Sequence, residues 1–557
     1  MHRIRKNKKK YNNDQWKLLR VQLVSIFRMN ASKILMIVIL VAGFIFRIYP
    51  AITRWFWEDE LATYAFALAP YPWIEQLIRP MDDRPPLFYL FIRFMIKFTK
   101  QETMLRLPII LSSFMSCLII YKSIQRYSKK AALIVLYLLL FSVFRIEYSW
   151  QLRDYGLLML PTSIIFYLFS EYVTKLIKTN TISRPHLVGI SVSAFIGCLI
   201  NYIFVIYVVC KLLLIVIITL FYRYKHIKKI DWSFIPKLAI VQIPLIGTLS
   251  YYLLRQFSII RATTGWIPEV SVYSYFLINA VFLGLSNNIY DLYSTNTALL
   301  PDYVIITIAI SIFFGLCIFL LEKKKSVIDP TLRILFYSGL FIYVTGQILV
   351  FFCSWILGTD IFLIRTFLRI GTMYLISFGL GIYIIINALI RPKYVRTTIV
   401  FLSLIYFCIF LRFYIDWYAP SQKDLLGGIP LQGGLRKLTE IYEPGDQIIY
   451  IPIHYQILYP SYYWQNSPET GLSMQLFMKL YGADINQIEV AYRRLNDANA
   501  ALVKTNIPYE SNGKIIMLNW NMSDNTVDRL HAYCRDVRNS TFTIVYKQID
   551  MYIAICK

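Results

Sequence analysis

The chain has 557 residues, 58 Lys+Arg against 32 Asp+Glu, a net charge of +26 and 57% hydrophobic residues. That hydrophobicity excludes a disordered chain and exceeds the roughly 45–50% apolar share of soluble domains. Residues 414–557 hold 13 Lys+Arg and 14 Asp+Glu, leaving 45 and 18 to the first 413. The basic excess therefore belongs to the hydrophobic part, as in a polytopic membrane protein rather than a nucleic-acid binder.

Three regions follow in chain order: a basic tail over 1–33, a transmembrane domain over 34–413, and a polar domain over 414–557 that is long enough for its own core. The tail (Arg3, Arg5, Lys6, Lys8, Lys9, Lys10) reads as a cytoplasmic topology signal beside anionic lipid. No A-x-A-like site follows the first apolar run, which is expected to be a transmembrane helix rather than a cleaved leader.

A span needs about 20 mostly apolar residues. That length predicts about eleven spans, near 34–52, 106–122, 131–147, 155–173, 187–202, 204–222, 236–254, 301–321, 331–353, 366–390 and 397–413. With the N-terminus in the cytoplasm, the loops holding Lys129-Lys130, Lys228-Lys229 and Lys323-Lys324-Lys325 all fall inside, as the positive-inside rule requires. The stretches 53–105, 148–154, 255–300, 354–365 and everything after 413 fall outside, where the acidic residues gather.

The first outer loop carries Trp55-Phe56-Trp57-Glu58-Asp59-Glu60, then Asp82-Asp83-Arg84-Pro85-Pro86-Leu87-Phe88-Tyr89, then Leu105-Arg106-Leu107-Pro108. Carboxylates crowded at an apolar boundary repel one another and are costly to desolvate. Read alone, such a cluster is a solvated acidic turn flanked by belt aromatics. The second acidic pair beside an Arg favours chemistry: a carboxylate as general base toward an acceptor hydroxyl, and Arg as the partner of a phosphate leaving group.

In that order these motifs resemble the family-39 membrane glycosyltransferases of the GT-C class. That family includes protein O-mannosyltransferases and the aminoarabinose transferases that modify lipid A. The resemblance continues through Glu147-Tyr148-Ser149-Trp150-Gln151-Leu152-Arg153-Asp154-Tyr155, Asn201-Tyr202, Trp266-Ile267-Pro268 and Ile364-Arg365-Thr366-Phe367-Leu368. Arg84 and Asn201 stand where His is usual, and Thr366 replaces an aromatic. These departures bear on the sugar and acceptor more than on the reaction class.

The resemblance implies a GT-C fold, a polyprenyl-phosphate sugar donor and inverting transfer at the outer face of a bacterial cytoplasmic membrane. The acceptor would be a glycan, a lipid or a protein. Carried over by motif, Asp59 is the candidate base and Glu60 orients the acceptor or holds Asp59. Asp82 or Asp83 forms a second acidic element. Arg153 and Arg365 are the first candidates for the phosphate, with Arg84 and Arg369 behind them. Tyr155 and Tyr202 would line the sugar or isoprenoid pocket. No cofactor is required; hard carboxylates would suit Mg²⁺ or Mn²⁺, but no spacing demands an ion. The alternative function is a transporter or flippase of lipid-linked sugars, which would instead place ionisable residues near mid-membrane, often in repeated halves.

Further along, Tyr273–Leu285 is predicted as an amphipathic helix lying on the outer surface, with Arg255 and Arg261 flanking the middle loop. Glycine pairs at 427–428 and 433–434 read as linker. Strands are expected at Gln447–Ile453, Lys514–Trp520, Thr541–Tyr546 and Tyr552–Ile555, with a helix from Asn525 to Val537, giving a small α/β domain. Tyr459–Trp464 is an aromatic cluster suited to sugar stacking or to packing on the membrane domain. Cys534 and Cys556 would pair in an oxidising compartment.

Overall fold

The computed structural model describes residues 34, 36–54, 58–67, 72–74, 85–227, 232, 234–264, 272–283, 285, 300–324, 328–357, 364–391, 393–418 and four strands beyond 446. Among the described residues, nine helices are long and apolar enough to cross a membrane. A tenth span is a bent pair, and the apolar helix Arg184–Ile200 falls just short of the length required. Together they stand at the eleven predicted positions, and the chain is a multi-pass membrane protein.

In chain order the helices are α1 (Met36–Thr53), α2 (Glu58–Ala67), α3 (Pro86–Ile96), α4 (Glu102–Gln125), α5 (Lys129–Leu140), α6 (Val143–Trp150), α7 (Asp154–Thr179) and α8 (Arg184–Ile200). They continue as α9 (Phe204–Ile227), α10 (Phe234–Thr264), α11 (Val272–Leu283), α12 (Leu300–Lys323), α13 (Pro330–Leu357), α14 (Leu368–Leu389) and α15 (Val395–Tyr418). A 3-10 turn, Ile364–Phe367, leads into α14. Outward-facing Ile308, Ile312 and Phe319 of α12 are exposed, the inversion of a soluble surface that lipid demands.

Local chemistry places the ends. Ser128 Oγ accepts the Ala131 N–H at 3.2 Å to start α5, and Ser142 Oγ accepts the Arg145 N–H at 3.4 Å to start α6. Asn180, at φ 53°, closes α7 with a left-handed cap.

The third span is broken between α5 and α6 by a bend of 59°. A break inside a membrane frees carbonyls that lipid cannot satisfy. Arg47 of α1 meets them: it donates to Leu140 O at 2.9 Å and Leu139 O at 3.0 Å, and to Gly43 O at 2.7 Å. The approach of α1 to α5 depends on Gly43, whose added Cβ would lie 2.8 Å from Leu140. On α6, Arg145 donates to Ser116 Oγ of α4 at 2.9 Å and to Thr372 Oγ1 of α14. Two buried cations thus clamp the bend to three neighbouring spans.

The structure corrects two expectations. Helix α11 forms where a surface helix was predicted, but Leu277, Ile278, Ala280, Val281 and Phe282 are all buried. Phe282 packs between Phe144 and Tyr374, with ring centres 5.0 and 5.7 Å away. The helix's buried amide, Asn279, is satisfied inside the bundle, accepting from the Tyr343 hydroxyl and donating to Thr307 Oγ1 at 3.2 Å, rather than by water at a surface. Helix α10 continues through Arg255 and Arg261 to Thr264, well past its predicted end.

Beyond the bundle lie β1 (Gln447–Ile451), β2 (Ile515–Trp520), β3 (Phe542–Gln548) and β4 (Met551–Cys556) in one sheet of order β1-β2-β4-β3. Strands β1 and β2 run parallel, and the other two pairings are antiparallel. The tail 1–33, the helix expected at 525–537, the cluster 459–464 and Cys534 lie outside the described residues.

Arg47→Met is expected to destabilise the bundle, because each freed carbonyl loses about 1–3 kcal/mol of satisfied hydrogen bonding. A lowered melting temperature of the detergent-purified protein is the measurement; an unchanged melt would separate Arg47 from the bend.

Candidate functional site at one end of the bundle

One end of the bundle gathers the C-terminus of α1, the start of α2, the start of α4, the link between α6 and α7, the turn between α8 and α9, and the 3-10 turn before α14. This is the end that the charge pattern assigns to the outside. The link Gln151–Arg153 ties these elements together.

Glu60 and Arg106 form its base. Both are fully buried, and the guanidinium grips the carboxylate with two bonds, Nε to Oε1 at 2.8 Å and Nη2 to Oε2 at 2.6 Å. Arg106 Nη1 also donates to Ala51 O at 3.0 Å and Arg54 O at 2.6 Å, capturing the end of α1. Trp150 covers the pair, with the Arg106 guanidinium 5.0 Å and that of Arg54 5.5 Å from its ring centre. The Leu152 N–H donates to Glu60 Oε1 at 2.5 Å. Glu60 is therefore committed to holding four segments in place. Burial pushes the Tyr64 hydroxyl, one turn further along α2, above its ordinary range, so that it stays neutral.

The residues after Leu152 each reach a different element. Arg153, buried, donates from Nη1 to Thr63 Oγ1 of α2 at 3.2 Å. Asp154, fully buried, accepts from Asn201 Nδ2 at 2.5 Å. Tyr155 is buried against Tyr148, and the Arg365 guanidinium lies 5.9 Å from its ring centre. Arg369, one turn beyond Arg365, is 2% exposed, and among the described residues its Nη1 and Nη2 meet no hydrogen-bond partner. Its guanidinium sits 6.0 Å from the Phe204 ring centre.

Arg365 thus lies against Tyr155, which closely follows Arg153 in the chain, and Arg369 stands one turn beyond Arg365. Tyr202, next to Asn201 in the chain, is buried and packs on Tyr252 of α10 with ring centres 6.2 Å apart. Asp59 lies in the first turn of α2, directly before Glu60. The Asp59 side chain and all of Asp82, Asp83 and Arg84 lie outside what is described. Among the described residues, no three His, Cys, Asp or Glu side chains are grouped to hold a metal ion.

Sequence reasoning missed the roles of Arg106, Trp150, Thr63 and Asp154. One signal was present. An Arg in the first turns of an apolar span needs a buried anion, and Glu60 was available in the same loop.

No protein-family model matches the chain, and no curated protein matches it. Among solved structures, ArnT from Cupriavidus metallidurans in the apo state is similar over 94% of this chain and 98% of its own, at TM-score 0.51 and 11% identity. ArnT from the same organism bound to undecaprenyl phosphate is similar over 93% and 97%, at TM-score 0.53 and 10% identity. The apo oligosaccharyltransferase of Archaeoglobus fulgidus overlaps over 73% and 58%, at TM-score 0.37 and 12% identity. The likeness to ArnT spans nearly the whole of both chains and shows that the two share a fold.

Glu60→Gln leaves Arg106 buried without its counter-charge. Breaking a buried pair in this way costs about 3–5 kcal/mol. The expected outcome is a sharply lower melting temperature, read by thermal unfolding in detergent; a melt within a degree or two of the parent would remove the pair from the structural foundation of the site.

Proposed function

We propose that the protein is an inverting glycosyltransferase, moving a sugar from a polyprenyl-phosphate donor to an acceptor hydroxyl or phosphate group at the outer face of a bacterial inner membrane, with its N-terminus in the cytoplasm. The observation that carries this reading is the buried Arg369 guanidinium with unspent donors, grouped with Arg153 and Arg365 at the end of the bundle where the acidic loop begins. Undecaprenyl phosphate bound to ArnT, a protein of the same fold, supports a lipid phosphate as the anion.

The chemistry follows from the charges. The acceptor oxygen attacks the anomeric carbon as Asp59 removes its proton. The carbon–oxygen bond to phosphate breaks, and its electron pair leaves on the phosphate. A phosphodiester becomes a phosphomonoester, so negative charge grows at the phosphate as the reaction proceeds. Cations fixed there before reaction stabilise that developing charge without reorganising. Arg365 and Arg153 are assigned to the phosphate, with Arg369 behind them and Arg84 at the loop. Asp82 or Asp83 faces the sugar or acceptor, and Tyr155 and Tyr202 line the pocket. Glu60 acts as a positioning residue: its grip on Arg106 fixes the helix turn that carries Asp59.

Asp59→Asn is expected to lower transfer by a factor of about 100 or more while the protein still elutes and melts as the parent does. Unchanged turnover would remove the base assignment. Arg365→Ala should weaken polyprenyl-phosphate binding far more than acceptor binding; equal donor affinity in variant and parent would take Arg365 out of the phosphate seat. As written, the reaction needs no metal, and transfer is expected to survive EDTA. Activity lost to EDTA and restored by Mg²⁺ or Mn²⁺ would place an ion on the acidic loop. Mass spectrometry of glycolipids and glycoproteins with and without the gene identifies the sugar and its acceptor.

A further inference from the structure

We propose that the outward face of α3, together with Trp73, is a seat for anionic phospholipid headgroups, and that it holds the segment between the first two spans on the bilayer surface. The partner is the bulk lipid of the membrane rather than the polyprenyl donor, so the seat stands apart from the transfer chemistry.

Helix α3 has 11 residues, about 17 Å at 1.5 Å per residue, and cannot cross the ~30 Å of hydrocarbon. Its end nonetheless lies where the bundle enters the membrane. Phe98 stands four residues before Glu102, the first residue of the second span, and Thr103 Oγ1 donates to Ala51 O near the end of the first span at 3.3 Å.

One side of α3 is committed to the protein. Phe88, Tyr89, Ile92 and Ile96 are buried, and the Tyr89 ring lies 5.7 Å from that of Phe66 on α2. The opposite side carries Phe94 and Phe98, one turn apart and both exposed, with ring centres 4.9 Å from each other. Trp73 joins it from the preceding segment. The Arg93 guanidinium lies 5.4 Å and Lys97 Nζ 4.8 Å from the Trp73 ring centre, and the adjoining Ile74 is exposed.

The charges on this stretch are of one sign. Arg93, Lys97 and Lys100 fall within eight residues that hold no acid. Lys97 and Lys100 are exposed and, among the described residues, form no ion pair. A face turned to hydrocarbon would carry no lysine, and a face turned to water would not carry two adjacent phenyl rings. Rings bordered by lysines fit the headgroup level, where the rings sink toward the acyl chains and the ammonium groups reach phosphates. A zwitterionic headgroup brings its own cation, so the lysines gain most from a headgroup of net negative charge. Lipid held there braces α3 and, through Tyr89 and Phe66, the helix α2 whose first turn contains Asp59.

The test uses the full-length protein in dodecylmaltoside. The exposed Cys408 is replaced by Ser, and Phe98→Cys is labelled with acrylodan, whose ring then stands where the phenyl ring stood. Phosphatidylglycerol should move the emission to the blue, half-maximally at about one-tenth of the concentration that phosphatidylcholine requires. Lys97→Gln with Lys100→Gln should raise the phosphatidylglycerol midpoint to that of phosphatidylcholine, while Lys97→Arg with Lys100→Arg should keep the parent value. Equal midpoints for the two lipids, or a midpoint that the Gln pair leaves in place, overturns the proposal. So does emission that stays at its aqueous wavelength with either lipid. Undecaprenyl phosphate acting well below phosphatidylglycerol would make this face part of the donor site and overturn it too. None of these readouts needs sugar transfer: a protein that seats phosphatidylglycerol but transfers nothing would sink the proposed function and leave the lipid seat standing.

Discussion

The bidentate pair of Glu60 and Arg106 is the constraint on which the site depends. Two opposite charges removed from water attract strongly, and they tolerate only a geometry in which every donor is met. Here Arg106 spends its remaining nitrogen on two carbonyls at the end of the first span, and Glu60 accepts an amide from the link before the fourth. The first span, the acidic helix, the second span and the link are therefore one rigid unit. The neighbouring Asp59 is carried by that unit, and a carboxylate held in place loses little freedom when it meets a substrate.

The same economy of buried charge recurs deeper in the bundle. Arg47 and Arg145 lie where lipid alone would reject them, and each is met by carbonyls or hydroxyls of neighbouring spans. Their work is to stabilise an interruption: the third span bends, and the short helix after the bend delivers Trp150 and the link to the site. Arg369 differs from Arg47, Arg106 and Arg145 in that neither of its Nη atoms meets a hydrogen-bond partner among the described residues. Structural and ligand-directed cations are thus separated by what their nitrogens touch, not by their burial.

Much of the membrane domain was legible in the sequence because its governing signals are coarse. Length of apolar run and position of Lys and Arg locate spans, and each predicted span has a helix at its place. Helix α11 was misread because its short apolar run resembles an interfacial helix in length, while only its partners, Phe144 and Tyr374, decide that it is buried. The candidate Arg residues were found by their place at span ends. The Glu60–Arg106 pair was not, since its members stand 46 residues apart and no local pattern joins them. Asp154 was hidden within a motif whose Arg and Tyr drew the attention.

The bend in the third span also changes the solvent that a lipid substrate meets. Helix α5 has 12 residues, and at 1.5 Å per residue it rises about 18 Å, well short of the ~30 Å of hydrocarbon. The remaining depth is taken up by α6, tilted away by the bend. Hydroxyl and guanidinium groups of Ser116, Arg145 and Thr372 consequently occupy a level that an unbroken span would have filled with hydrocarbon. The bundle is locally thinner in dielectric terms than the bilayer around it, so its catalytic fitness should depend on the acyl-chain length of the membrane that houses it.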